Sequence, residues 1–157
     1  PDDVFSCNKV LVFNLGFDSK GNDKLNSWVY VPEKEFIFYR IGYYDNIMNT
    51  DRMSLYVEIG FSQKQEMLKE GLYLDRILSD LRKMGIITTQ KLVDYEAVLM
   101  NPAYVHINKK SVETVEEYKE ILEKNDIYSI GRYGSWTYCS IEDNILEARE
   151  LAEKLNK

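Results

Sequence analysis

The sequence predicts an α+β fold: a mainly antiparallel sheet with flanking helices. Three observations predict it. Strand-like segments follow one another through short links as far as Phe61. After that point apolar residues recur at every third or fourth position instead of every second, which is the helical period. Two amphipathic segments then dominate the C-terminal half, so strands and helices are segregated rather than alternating.

Taken in order, Lys9–Phe17 reads as a buried strand carrying Val10, Leu11, Val12, Phe13, Leu15 and Phe17. Asp18–Asp23 is a polar turn. Ser27–Val31 is a short aromatic strand that Pro32 ends, and Pro32–Glu35 is a hairpin link to a third strand at Phe36–Tyr44. Asp45–Arg52 is expected as a loop. Met53–Phe61 alternates, with Met53, Leu55, Val57, Ile59 and Phe61 on one face. From Gln65 to Met84 the spacing is helical, weakened by Gly71 and closed by Gly85 as a C-cap. Gln90–Met100 returns to strand, Asn101-Pro102 breaks it, and Tyr104–Ile107 is one more short strand. Ser111–Lys124 is a helix with Ser111 as N-cap and a stripe of Val115, Tyr118, Ile121 and Leu122. Asp126–Ile130 is expected as a strand before a glycine-rich turn. Ser140 opens a last helix to about Leu155, with Ile141, Ile145, Ala148, Leu151 and Ala152 facing inward.

The 157 residues suffice for one domain, taken as 1–157, with its own core. No apolar run approaches the roughly 18–20 residues needed to cross a bilayer, so no membrane span is expected. Lys plus Arg total 20 against 26 Asp plus Glu, a net charge of -6. That balance argues against nucleic acid, whose phosphates require a basic face. A small anionic ligand held by a few placed arginines stays compatible with it. Cys7 and Cys139 lie far apart and match no metal spacing; so few cysteines suit a reducing compartment, the cytoplasm. His106 is the only histidine, which removes histidine-based metal sites and Ser-His-Asp triads. No glycine-rich dinucleotide fingerprint and no phosphate-binding loop is present, and no catalytic residue or metal ligand is assigned.

Ile127–Asn144 is more informative. An arginine, Arg132, and three aromatics, Tyr133, Trp136 and Tyr138, precede a helix N-terminus beyond the glycine pair Gly131 and Gly134. A helix start carries unpaired N–H groups and partial positive charge, and so can hold an anion. The alternative is ordinary capping, with Ser140 as N-cap and Glu142 and Asp143 complementing the dipole. Upstream, Ser27–Glu33 and Phe38-Tyr39-Arg40 place a tyrosine, Tyr30, and an arginine on neighbouring strands, where the register decides whether they share a face. Arg40 has an equally plain alternative role, an ion pair with Asp45 or Glu58.

These two segments, in this order and separation, resemble those of UDP-galactopyranose mutases and of related flavoproteins of the protoporphyrinogen-oxidase and amine-oxidase superfamily. The resemblance extends over nearly the whole chain. It implies the substrate side of an FAD-dependent enzyme, excised from a larger protein whose dinucleotide-binding part lies N-terminal and against which this part docks. The chain's start at Pro1, without Met, fits that expectation. The resemblance further implies that Arg40, Tyr30 and Tyr138 bind the diphosphate of a nucleotide-sugar substrate and that Tyr104 lines the same cleft. It places Arg132, with Gly131, Ser140, Asp143 and Asn144, at the flavin. The activity would serve surface polysaccharide synthesis. Two positions depart from the mutase pattern: Ile47 stands where a tyrosine follows the arginine by seven residues, and Glu142 stands where an asparagine follows the second tyrosine by four. A carboxylate there repels a nearby anion. Both departures favour the alternative of an amine-oxidase-type or dehydrogenase-type FAD enzyme. A stand-alone, non-catalytic binding module is the third possibility; it predicts no large uncovered apolar surface beside Trp136 and the last helix.

Overall fold

The computed structural model describes residues 4–156, and its fold is α+β: an antiparallel sheet of six strands with flanking helices. The chain divides into two compact units, Asn8–Ala103 and, among the described residues, 4–7 with 104–156.

Five strands build the sheet of the first unit: β1 (Ser6–Phe17), β2 (Trp28–Tyr30), β3 (Arg40–Tyr43), β4 (Ser54–Ser62) and β5 (Leu92–Met100), in the spatial order β2-β3-β4-β1-β5. The alternation in β4 does what its period requires. Leu55, Val57, Ile59 and Phe61 are all buried, and β1 answers from the same side with Leu11, Phe13, Leu15 and Phe17. Helix α2 (Glu70–Lys83) covers that side with Tyr73, Ile77 and Leu81. Each of these fully buried side chains contributes roughly 1.5–3 kcal/mol of apolar transfer free energy, so this cluster dominates the stability of the unit.

The helix is shorter than its spacing predicts. Residues 65–69 stay outside it, and Gly71 sits in its first turn, where lost helix propensity costs least. At its far end Gly85 adopts φ +72°. Gly85 N–H bonds the Arg82 carbonyl and Ile86 N–H bonds the Leu81 carbonyl, each at 3.0 Å, which is the Schellman closure that glycine permits. Asp80, buried on α2, accepts from Ile37 N–H at 3.0 Å and from Arg76 Nε at 2.9 Å. This explains why residues 36–39 are not strand as expected: Ile37's amide is turned onto a carboxylate, and β3 starts only at Arg40. The expected loop after β3 begins instead as a short helix, α1 (Tyr44–Met48), closed by Asn49 at φ 51°.

In the second unit the first residues of β1 pair with β6 (Val105–His106), Ser6 opposite His106 and Cys7 opposite Val105. Helices α3 (Lys109–Glu123), α4 (Gly131–Gly134) and α5 (Ile141–Leu155) follow. Three expectations are corrected here. The N-cap of α3 is Asn108, with Ser111 closing a reciprocal capping box from the third helical position. Residues 126–130 form no strand, because Asn125 and Ile127 turn their amides back onto the Leu122 carbonyl to close α3. The apolar stripe of α5 does not face inward: no residue of α5 is buried, and Ile141 and Ile145 are 82% and 64% exposed.

Tyr43, at the end of β3, gives a test of this packing. Burial, reinforced by the carboxylates of Asp23 and Asp45, pushes its phenol up to about 12. An unfolded tyrosine titrates near 10, so the folded state holds the proton more tightly. Tyr43 thus contributes stability that is complete below pH about 10 and is lost as pH rises toward about 12. Urea unfolding between pH 9 and 12 should show this alkaline decline, and Tyr43→Phe should flatten it.

Candidate functional site

With odd-numbered residues of β1 and β4 in the core, the even-numbered ones stand on the opposite side of the sheet. The register sets them in rows. One row runs Trp28, Gly42, Tyr56, Asn14, Glu96 across β2, β3, β4, β1 and β5; the next runs Tyr30, Arg40, Glu58, Val12, Val98. No helix of this unit covers that side as α2 covers the other. Trp28 is 55% exposed and Tyr30 is 61% exposed. A groove of about 560 Å³ lies over it, walled by Trp28, Tyr44, Ile47 and Tyr56 and by Val12, Val98 and Met100, with Asn14 and Glu58 also on its lining.

Tyr30 and Arg40 are thus direct cross-strand partners on one open face. The Arg40 Cζ lies 5.9 Å from the Tyr30 ring centroid and 6.0 Å from that of Tyr39, within cation–π range of both. Of the two alternative partners for Arg40, Glu58 is the one it meets: the guanidinium donates to Glu58 Oε1, and the Tyr39 hydroxyl donates to Oε2. Glu58 is buried, whereas the Arg40 side chain remains 23% exposed. Asp45 turns elsewhere, accepting from Ser54 N–H at 3.3 Å and facing Lys20 at 3.7 Å.

Gly42 is required by its neighbour. The Tyr56 ring lies on its Cα, so that a Cβ at position 42 would stand 1.8 Å from Tyr56 Cε1. The Tyr44 and Tyr56 rings are 5.0 Å apart. Burial raises the Tyr56 phenol above its ordinary value against an opposing pull from Arg40. Trp28, Tyr44, Tyr56 and Gly42 all escaped selection as site residues, although the alternation in β4 already sends Tyr56 and Glu58 to the side away from the core.

The remaining candidates lie in the second unit. Tyr104 and Tyr138 have ring centroids 6.3 Å apart, and the Tyr138 hydroxyl donates to the Val105 carbonyl at 2.7 Å. Gly131, at φ +81°, opens α4, and its N–H bonds Glu147 Oε2 at 2.7 Å. Arg132 donates to the Cys139 carbonyl at 2.7 Å, closing the loop before α5. Ser140 and Asp143 cap each other: Ser140 Oγ accepts from Asp143 N–H at 3.0 Å, and Asp143 Oδ2 accepts from Ser140 N–H at 2.7 Å. The Ser140 N–H first, and then the Ser140 hydroxyl donating to Oδ2 at 2.8 Å, hold the Asp143 carboxyl below its ordinary value. Asn144 Nδ2 bonds the Ser140 carbonyl at 2.6 Å. Glu147 went unnoticed in the sequence because it is one acid among many on a polar helix. It gathers the Gly131 amide, Ser135 Oγ at 3.4 Å and Lys119 Nζ at 3.7 Å. An apolar cavity of about 280 Å³ lies among Phe5, Val115, Tyr118, Leu122, Tyr133 and Trp136. Among the described residues no group of three or more His, Cys, Asp and Glu side chains is placed to hold a metal ion, and no helix is long and apolar enough to cross a membrane.

The molecule is therefore an open-faced antiparallel α+β protein whose polar and aromatic side chains gather on the uncovered side of the sheet. No protein-family model and no curated protein matches the sequence. Among solved structures, the fold is similar to part of reduced UDP-galactopyranose mutase, with a TM-score of 0.73 and 24% identity over 87% of this chain. The chain spans 30% of that mutase chain.

The contact at Gly42 makes a prediction. Gly42→Ala should cost about 1–3 kcal/mol, the usual penalty for overpacking, read as a lower urea midpoint at unchanged slope, because the Tyr56 ring must leave its seat.

Proposed function

We propose that the chain is the substrate-side domain of an FAD-dependent enzyme similar to UDP-galactopyranose mutase, acting on a nucleotide sugar in the cytoplasm in the synthesis of surface polysaccharide. The observation that carries this is the cross-strand pairing of Tyr30 with Arg40 on the open side of the sheet, in one row with Glu58, which lines the neighbouring aromatic groove. A guanidinium fork beside a phenol suits a diphosphate, and exposed aromatic faces beside it suit the rest of a sugar nucleotide. The shared fold supports the assignment. Tyr104 and Tyr138 are proposed as further phenolic contacts for substrate.

The fit of the residues to FAD is mixed. Arg132 presents five N–H donors, of which the Cys139 carbonyl engages one, so the group suits a flavin carbonyl or phosphate, with Gly131 and Asn144 beside it. Ser140 and Asp143 already satisfy each other and serve by holding the start of α5 in shape. FAD, bound and reduced, would supply the nucleophilic chemistry at the anomeric carbon. The dinucleotide-binding part is proposed to lie outside this chain and to cover the uncovered apolar surface of α5. Ile141 and Ile145 leave that surface exposed, which weighs against a stand-alone binding module.

A second reading is an FAD-dependent oxidoreductase of the amine-oxidase type. It is favoured by Ile47 in the groove wall, where the resemblance implies a tyrosine, and by the exposed Glu142 in the first turn of α5.

The full gene product, supplied with chemically reduced FAD, should convert UDP-galactopyranose into the furanose isomer, resolved by chromatography. Oxidation of an amine substrate without any furanose would establish the second reading. The 157-residue chain purified alone should be colourless; one tightly held FAD per chain would sink the placement of the dinucleotide site elsewhere.

A further inference from the structure

We infer that Glu58 is a positioning residue for anion binding, acting through Arg40 with Tyr39 behind it. This rests on the assignment of Arg40 to an anionic substrate group. An arginine on a sheet surface ordinarily samples many rotamers, and an anion that captures it must first bear the cost of ordering it. Here the ordering is done in advance. Glu58 stands directly opposite Arg40 in the register, buried, with each carboxylate oxygen committed: Oε1 to the guanidinium, Oε2 to the Tyr39 hydroxyl. The Tyr39 ring lies over Gly60, one row further along β4, 3.7 Å from where a Cβ would stand. The phenol that steadies Glu58 thus has its ring seated on this part of β4, at a distance where a β-carbon would make ordinary contact. The guanidinium itself sits within 6.0 Å of two tyrosine ring centroids. The partly exposed cation is held from beneath by a carboxylate and flanked by rings.

The same carboxylate also repels an incoming anion, so the two effects oppose each other. The anion approaches from solvent, where the effective dielectric is high, and the repulsion is worth about two- to three-fold in affinity. Release of a long, previously fixed side chain is worth about ten-fold or more. Positioning wins, and removing the charge of Glu58 weakens anion binding.

The test is titration of the full chain with inorganic pyrophosphate, followed calorimetrically and by the Nε–H resonance of Arg40. Glu58→Gln keeps the shape and removes the charge; it should weaken pyrophosphate binding about ten-fold and broaden the Arg40 resonance. Tyr39→Phe leaves the ion pair and should weaken binding by about three-fold, which keeps the question decidable if Glu58→Gln folds poorly. In an Arg40→Met background both changes should be without further effect. Equal or tighter binding by Glu58→Gln and Tyr39→Phe, with Arg40→Met still weakening it, overturns the positioning role alone. Absence of pyrophosphate binding by the unmodified chain, or binding indifferent to Arg40→Met, overturns the anion assignment and this role with it.

Discussion

The pairing of β1 with β4 fixes everything that surrounds it. Nine consecutive register pairs, from Asn8 opposite Ser62 to Gly16 opposite Ser54, commit both strands to one phase. Because side chains alternate, a slip of one residue would exchange the buried set for the exposed one. If β4 slipped, Leu55 and Val57 would face water and Glu58 would turn to the core side. The hydrophobic side holds this register, and the pairings of β3 with β4 and of β2 with β3 extend it to bring Glu58, Arg40 and Tyr30 into a single row. The placement of the open face thus follows from core packing, and Glu58 with Tyr39 then orders the Arg40 side chain upon it.

The two units differ in how their helices are held. In Asn8–Ala103 one helix buries Tyr73, Ile77 and Leu81 against a sheet side that is apolar throughout. In the other unit α3 buries only Ser111 and α5 buries nothing, so capping boxes and polar contacts such as those of Glu147 define helix ends that packing leaves loose. Exposed polar contacts of this kind contribute little, typically below about 1 kcal/mol each. They select a geometry more than they stabilise it. A surface in this condition suits coverage by another part of a larger protein, in keeping with the function proposed above.

Much of this was legible in the sequence where one period or one residue type decides the outcome. The alternation in Met53–Phe61 gave the buried side of β4, and Gly85 marked the end of α2 because only a glycine closes that turn cheaply. Ser140 was recognisable as the N-cap of α5. Tyr30 and Arg40 were singled out, and their neighbourhood followed once the strands were paired. What escaped depended on partners distant in sequence. Residues 36–39 have strand composition, yet the buried Asp80 draws Ile37 away. The stripe of α5 has the period of an inward face, but period reports only that a face is apolar, not that anything covers it. Asn108 outcompeted Ser111 as cap because the two side chains bond reciprocally, which neither residue signals alone.

Gly42 has a consequence for how this face can change over generations. While Tyr56 lies on its Cα, no residue with a β-carbon fits at position 42 without displacing the ring. Position 56 is under no such restriction, since a smaller side chain there only opens space. The two positions are therefore asymmetric: a side chain enters position 42 without the cost of overpacking only after 56 has lost its ring. A lineage that has lost the ring and then gained a side chain at 42 meets that same cost if it recovers the tyrosine by a single change. The contact acts as a ratchet on the evolution of the groove.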